Sequence, residues 1–135
     1  MKRYGLLVAF GVLLASAGHA SNGIAVTRGA DGVIYGNCVP SLLIVNRSAQ
    51  TIDFLQVDVL TALRDGRERT IELRSGYREG VPRPIAPGAS ATLRQQFDLS
   101  PLLGAPCADI VARRVVRTIC EAGGKDCAAA VTVQP

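Results

Sequence analysis

Apolar and polar positions alternate with a period of two through much of this chain. In "DFLQVDVLTAL", Asp53 to Leu63, the apolar Leu55, Val57 and Val59 alternate with Gln56 and Asp58, which is the pattern of a strand with one face on a core and the other in water. Phe54 beside Leu55 breaks the alternation and marks a bulge or a sheet edge there. "RTIELRS", Arg69 to Ser75, alternates again with Ile71 and Leu73 on one face. "CVPSLLIVNRS", from Cys38, holds a continuous apolar run of buried-strand length. Pro87 and Gly88 form a turn that launches "ASATLRQQFDL", with Leu93 and Phe97 as its apolar positions. "VIYGN" predicts a short first strand ending at Gly36.

The last quarter of the chain adds a hairpin. "VVRTIC" and "CAAAVTV" are strand-like runs on either side of "EAGGKD", whose Gly123 and Gly124 can take the positive φ of a tight turn. Upstream, "CADIVARRVVRT" has two readings, because Ile110, Val111, Val115 and Val116 also suit one face of a helix. Its β-branched residues and the hairpin it feeds favour strand. "SGYREGVPRPIAPG", Ser75 to Gly88, carries three prolines and no pattern, so it reads as a surface loop or an edge. Several short strands between turn signals and no long helical period predict an all-β fold, a fibronectin-III/immunoglobulin-like β-sandwich with disulfides.

The first twenty residues fall outside that pattern. Lys2 and Arg3, the apolar run Gly5 to Ala15 and the small residues of "SAGHA" make a secretory signal peptide, residues 1–20. The run is too short for the roughly 20 residues of a membrane-spanning helix. No cysteine follows it before Cys38, so no thiol sits where a lipoprotein lipid is attached. Cleavage after Ala20 leaves residues 21–135, the size of one β-sandwich domain. Of 15 Lys and Arg, two leave with the leader, so 13 face 11 acidic residues at a net charge of +2. Such a balance, with three tyrosines and three phenylalanines in the chain, is no signature of nucleic-acid binding. Nothing points to a membrane partner either. The basic residues are nearly all arginines, which suit bidentate contacts with carboxylates of a protein partner.

Export also sets the chemistry of the cysteines. Cys38, Cys107, Cys120 and Cys127 are an even set in an oxidising compartment and read as disulfides. Their gaps are unlike zinc or thioredoxin-type spacings, and the one histidine, His19, leaves with the leader. The expectation is therefore no metal and no cofactor. Of three connectivities, the hairpin favours Cys120 with Cys127, leaving Cys38 with Cys107; a Cys38 to Cys120 link is the alternative that peptide mapping would expose. Without histidine, a Ser–His or Cys–His nucleophile is ruled out, and Asp53 with Asp58, or Glu68 with Glu72, read as the wet face of strands before they read as an acid and base. "Asn46-Arg47-Ser48" fits a glycosylation acceptor, but reads first as a turn in which the side chains bond their own backbone.

A cysteine opening a strand, "NRSAQTIDFLQVDV", "APGAS", "PCADI" and a closing cysteine pair together resemble the small secreted fibronectin-III-like bacterial proteins called interleukin-receptor mimics, over about Asn37 to Val133. The resemblance implies a single fibronectin-like domain, secreted or periplasmic in a bacterium, that exchanges strands into a homodimer and binds a host cytokine receptor. None of that family's receptor-binding residues maps onto a motif here. From the residues themselves, the candidates for protein contact are Tyr77, Arg78 and Arg83 in the proline-containing loop, since tyrosine and arginine anchor interfaces. Arg113 and Arg117 join them as a pair sharing one strand face, and the charged, glycine-hinged tip Glu121 to Asp126 is a further contact loop. The expectation is a non-enzymatic protein-binding domain. A structural or appendage subunit using an exposed strand edge is the first alternative, and a small periplasmic enzyme or inhibitor the second.

Overall fold

The computed structural model describes residues 22–78, 81–96 and 101–135. The segment expected to be a leader, residues 1–20, and Phe97 lie outside the described residues.

Among the described residues, twelve strands follow one another. They are β1 (Ile24–Arg28), β2 (Gly32–Ile34), β3 (Asn37–Val39), β4 (Ser41–Asn46), β5 (Phe54–Leu63) and β6 (Glu68–Arg74). After these come β7 (Tyr77–Arg78), β8 (Val81–Pro82), β9 (Ser90–Arg94), β10 (Ile110–Ala122), β11 (Lys125–Asp126) and β12 (Val131–Gln134). Eight of them form one curled sheet in the order β11-β10-β5-β6-β9-β4-β1-β12. A single backbone pair, Arg74 with Arg94, joins β6 to β9, so the sheet behaves as two four-stranded halves folded onto each other. Ile24, Val26, Leu42, Ile44 and Leu93 from one half pack in the same cluster as Leu55, Val57, Val59, Ile71, Leu73 and Cys120 from the other. The fold is an all-β, sandwich-like one with two disulfides.

The alternation predicted the core. Leu55, Val57 and Val59 point inward from β5, and their cross-strand partners on β6 are Leu73 opposite Val57 and Ile71 opposite Val59. β5 is central, paired with β10 from Phe54 to Leu63 and with β6 from Gln56 to Ala62. Of the bulge or edge expected at Phe54, no bulge falls there, and Phe54 pairs on the β10 side only; the register shifts lie on the neighbouring strand, between Ile110 and Ala112 and again between Val115 and Arg117. "CADIVARRVVRT" becomes a three-residue 3-10 turn, Cys107–Asp109, that runs straight into β10. "VIYGN" is not the first strand. β1 precedes it, and the segment itself is half of a hairpin, with β2 and β3 paired across Tyr35 and Gly36.

β1 ties the two ends of the chain together, pairing antiparallel with β4 and parallel with β12. Gly23 makes this approach close, since a Cβ there would stand 2.7 Å from the Ala130 carbonyl oxygen. Asn46 closes the far end of β4. It is fully buried, its Nδ2 donates to the carbonyls of Gln50 and Ile85 at 2.7 and 2.9 Å, and its Oδ1 accepts from the Ser48 amide at 3.0 Å. "Asn46-Arg47-Ser48" is thus a turn organiser whose amide is sequestered from solvent.

Candidate functional site

The outer surfaces of the two halves differ in chemistry. On the β4 half, Ala25, Thr27, Leu43, Val45, Ser90 and Thr92 oppose one another across β1, β4 and β9, with no charge among them. On the β5 half, cross-strand rows place Arg117 opposite Asp58 and Asp58 opposite Glu72, and Arg114 opposite Leu60. Sequence alternation alone distributes residues in this way once the register is set, because pleated neighbours leave opposite faces.

The bulges on β10 decide which arginine goes where. An extra residue at Val111 and another at Val116 leave those side chains 60% and 44% exposed, as bulged residues lose their place in the pleat. The bulge at Val116 also inverts the parity between Arg113 and Arg117. Arg113 lies opposite Thr61, whose side chain is fully buried, whereas Arg117 lies opposite Asp58 on the outer face. The expected shared face for Arg113 and Arg117 does not exist, and the physical reason is that one inserted residue in a period-two pattern flips everything beyond it.

Arg113 has turned inward to an ion pair. Its Nη1 donates to Asp31 Oδ1 at 3.1 Å and its Nη2 to Asp31 Oδ2 at 2.6 Å, and Arg28 Nη2 adds a third bond to Oδ2 at 2.9 Å. The side chains of Arg113 and Asp31 are only 7% and 11% exposed. Burial works to raise the Asp31 pKa, but hydrogen bonds from Arg113 and Arg28, with the attraction of both guanidinium charges, outweigh it and hold the carboxyl below its ordinary value. Arg113 therefore clamps the segment after β1 to β10.

Arg114 and Arg117 are exposed, and neither has an ion pair among the described residues. Asp58, opposite Arg117, is buried although it belongs to the outer face, and it accepts a hydrogen bond from Gln56 Nε2 at 2.7 Å. Glu72 takes Arg74 Nη2 at 2.7 Å. Past Cys120, β10 gains a second neighbour only at Glu121 and Ala122, which pair with β11. From Ile110 to Cys120 one backbone edge of β10 therefore has no strand partner among the described residues. This edge carries the exposed Val111 and Val116 beside Arg114 and Arg117.

The other expected contact residues are dispersed. β7 and β8 form a two-stranded excursion in which Tyr77 pairs with Pro82 and Arg78 with Val81. Arg83 follows it, exposed, with its amide bonded to the Gly76 carbonyl at 3.0 Å. The hairpin tip is shaped by Gly123 and Gly124, both at positive φ, and by Asp53, whose Oδ2 accepts from the Gly123 amide at 2.8 Å. Asp53 is thereby a turn cap, while Asp58 sits within β5, bonded to Gln56. The disulfides join Cys38 to Cys107 and Cys120 to Cys127. The second closes the base of the hairpin, where the Cys127 amide also bonds the Cys120 carbonyl at 3.0 Å.

One exposed group had gone unread in the sequence. Tyr35 is 94% exposed at the tip of the β2–β3 hairpin, and Val33 beside it is 66% exposed. Its sequence signal is a two-residue turn ending in glycine, Tyr35-Gly36, between Val33-Ile34 and Asn37-Cys38.

No protein-family model matches the chain, and no curated protein matches its sequence. Among solved structures the chain is similar to IrmA from Escherichia coli, with a TM-score of 0.54 and 9% sequence identity over 83% of this chain and 91% of that one. At that identity the likeness concerns the fold.

Proposed function

We propose that this chain is an exported, non-enzymatic protein-binding domain that contacts its partner through the outer edge of β10. The observation that carries this reading is the combination on one strand of a backbone edge without a strand partner among the described residues, two outward valines at 60% and 44% exposure, and two arginines without ion pairs among those residues. Apolar groups interleaved with guanidinium groups are the composition of interface anchors, and an acidic surface or strand edge complements them. Two disulfides fit an oxidising, extracytoplasmic setting. Among the described residues no helix is long and apolar enough to cross a membrane. A host cytokine receptor is the partner class suggested by the resemblance to interleukin-receptor mimics, and the fold likeness to IrmA supports looking there first.

The test is affinity capture on the mature chain from envelope extract and, in parallel, from host-cell surface proteins. A partner retained by the wild type and lost by Arg114→Glu with Arg117→Glu supports the reading. Unchanged capture by that variant, with an unaltered far-UV spectrum, refutes a role for β10. Tyr77→Ala with Arg78→Ala tests the β7–β8 excursion as a second contact in the same assay.

A strand-exchange or appendage role is a second reading, favoured by the position of β12 as a terminal edge strand held on one side only, by β1. Light scattering after size exclusion separates the outcomes, with a discrete dimer for exchange and concentration-dependent polymers for an appendage subunit.

A further inference from the structure

The β2–β3 hairpin is built at a local cost and held more firmly than a plain connection needs. Tyr35 and Gly36, its two turn residues, have φ of +49° and +76°, the pattern of a type I′ turn in which both central residues take positive φ. The β10–β11 hairpin meets the same demand with Gly123 and Gly124. Glycine, asparagine and aspartate fill such positions with little strain. A tyrosine there is an outlier, and its ring, 94% exposed, gains nothing from packing within the chain. Backbone strain of this kind persists where something else is gained from the side chain.

Four anchors fix the hairpin. Cys38 on β3 is bonded to Cys107, and its amide donates to the Ala105 carbonyl at 2.7 Å. The Gly29 amide donates to the Ser41 carbonyl at 2.9 Å, and Ser41 Oγ to the Ala30 carbonyl at 2.7 Å. The Asp31 to Arg113 pair adds the fourth, just before β2. An arm so anchored loses little freedom on contact, which is how pre-organisation raises affinity.

Against this hairpin lies a cleft of about 210 Å³, with Val33, Ile34 and Val39 among its walls and Arg94 at its side. That volume is below the roughly 300 Å³ at which whole-ligand pockets begin and suits one apolar side chain. Arg94 is exposed and has no ion pair among the described residues. Just before β2, Arg28 and Arg113 share the carboxylate of Asp31. Among the described residues the hairpin and its cleft are thus accompanied by three guanidinium groups, those of Arg94, Arg28 and Arg113, and the carboxylate of Asp31.

We propose that the β2–β3 hairpin and its cleft form a docking site for an acidic, extended segment of another protein that inserts one apolar side chain between Val33 and Arg94. Tyr35 lies over the inserted segment as a rigid aromatic anchor. Arg94 and Arg28 meet the flanking carboxylates. The site is distinct from the β10 edge and stands or falls independently of it.

The probe is a fluorescein-labelled pentapeptide with phenylalanine between two pairs of acidic residues, read by anisotropy and by the methyl shifts of Val33, Ile34 and Val39. Saturable binding is expected, with shifts in those methyls, and it should weaken with salt. Peptides with serine for phenylalanine, or lysine for the acids, should not bind. Tyr35→Asn and Arg94→Gln should each weaken binding by about fivefold or more, the scale of an interface anchor. Asparagine before glycine suits the turn, so Tyr35→Asn should fold, with its unfolding midpoint raised by about 4 °C as the strain is relieved. No binding up to millimolar peptide overturns the proposal, as does binding that moves other methyls or survives both substitutions. Self-association of the wild type lost in Tyr35→Asn also overturns it, by assigning the hairpin to a second copy.

Discussion

Replacing Arg113 with methionine removes the guanidinium but keeps most of the apolar stem, so the effect isolates the ion pair with Asp31. Two charge-assisted bonds, at 3.1 and 2.6 Å, are lost. The carboxylate left behind is 11% exposed and keeps only Arg28, whose side chain is 57% exposed. Breaking a fully buried pair from one side costs about 3 to 5 kcal/mol; the surviving bond to Arg28 places this case near the bottom of that range, at about 3 kcal/mol. With an unfolding entropy of about 2.1 cal/mol/K per residue over a domain of this length, that corresponds to a midpoint about 12 °C lower. The cost should depend on pH with a definite sign. Asp31 has a folded pKa below its ordinary value, so its contribution is full above the unfolded value of about 3.9 and is lost as pH falls through the lower folded value. Urea unfolding of wild type and Arg113→Met should therefore differ by about 3 kcal/mol at pH 7, with the gap narrowing as pH falls below about 3.9. A difference under about 0.5 kcal/mol at pH 7, the level of an ordinary surface change, would refute the clamp. A gap that stays constant from pH 7 to pH 2.5 would show that packing, not charge, was lost.

Removing Cys38 and Cys107 together opens a long loop and should cost about 4.4 kcal/mol in the chain-entropy account, against about 2.5 for the short Cys120 to Cys127 loop; equilibrium unfolding of the two double-alanine variants tests the order. Gly23→Ala should destabilise by about 1 to 3 kcal/mol, since its Cβ would meet the Ala130 carbonyl at 2.7 Å and push β12 from β1, and amide exchange on Val131 to Gln134 should accelerate first. Deleting Val116 removes one bulge and leaves Val115 opposite Val59 and Arg117 opposite Asp58 in unbroken alternation, so the variant should fold with the wild-type far-UV spectrum and Arg117 still outward. A deletion variant that fails to fold, or that turns Arg117 toward the core, would contradict the bulge assignment.

The chain's own pattern determined the fold class and most of the core. Leu55, Val57, Val59, Ile71, Leu73 and Leu93 are buried where period-two alternation and apolar runs placed them, because a strand can satisfy its backbone in a sheet and hide only alternate side chains. The hairpin at Gly123 and Gly124 was legible for the same local reason, as two glycines accept the positive φ of its turn. β1 was not legible, since a strand of five residues carries little pattern. The roles of the surface residues depended on contacts far apart in sequence. Arg113 and Arg117 look equivalent along the chain, and only the register against β5 shows that Val116 is an inserted residue that sends one arginine inward to Asp31 and the other outward. Tyr35 likewise reads as a strand residue until the pairing of β2 with β3 places it in a turn. Local alternation determines which residues can be buried, while register and bulges, set by partner strands distant in sequence, determine which face each charged group finally takes.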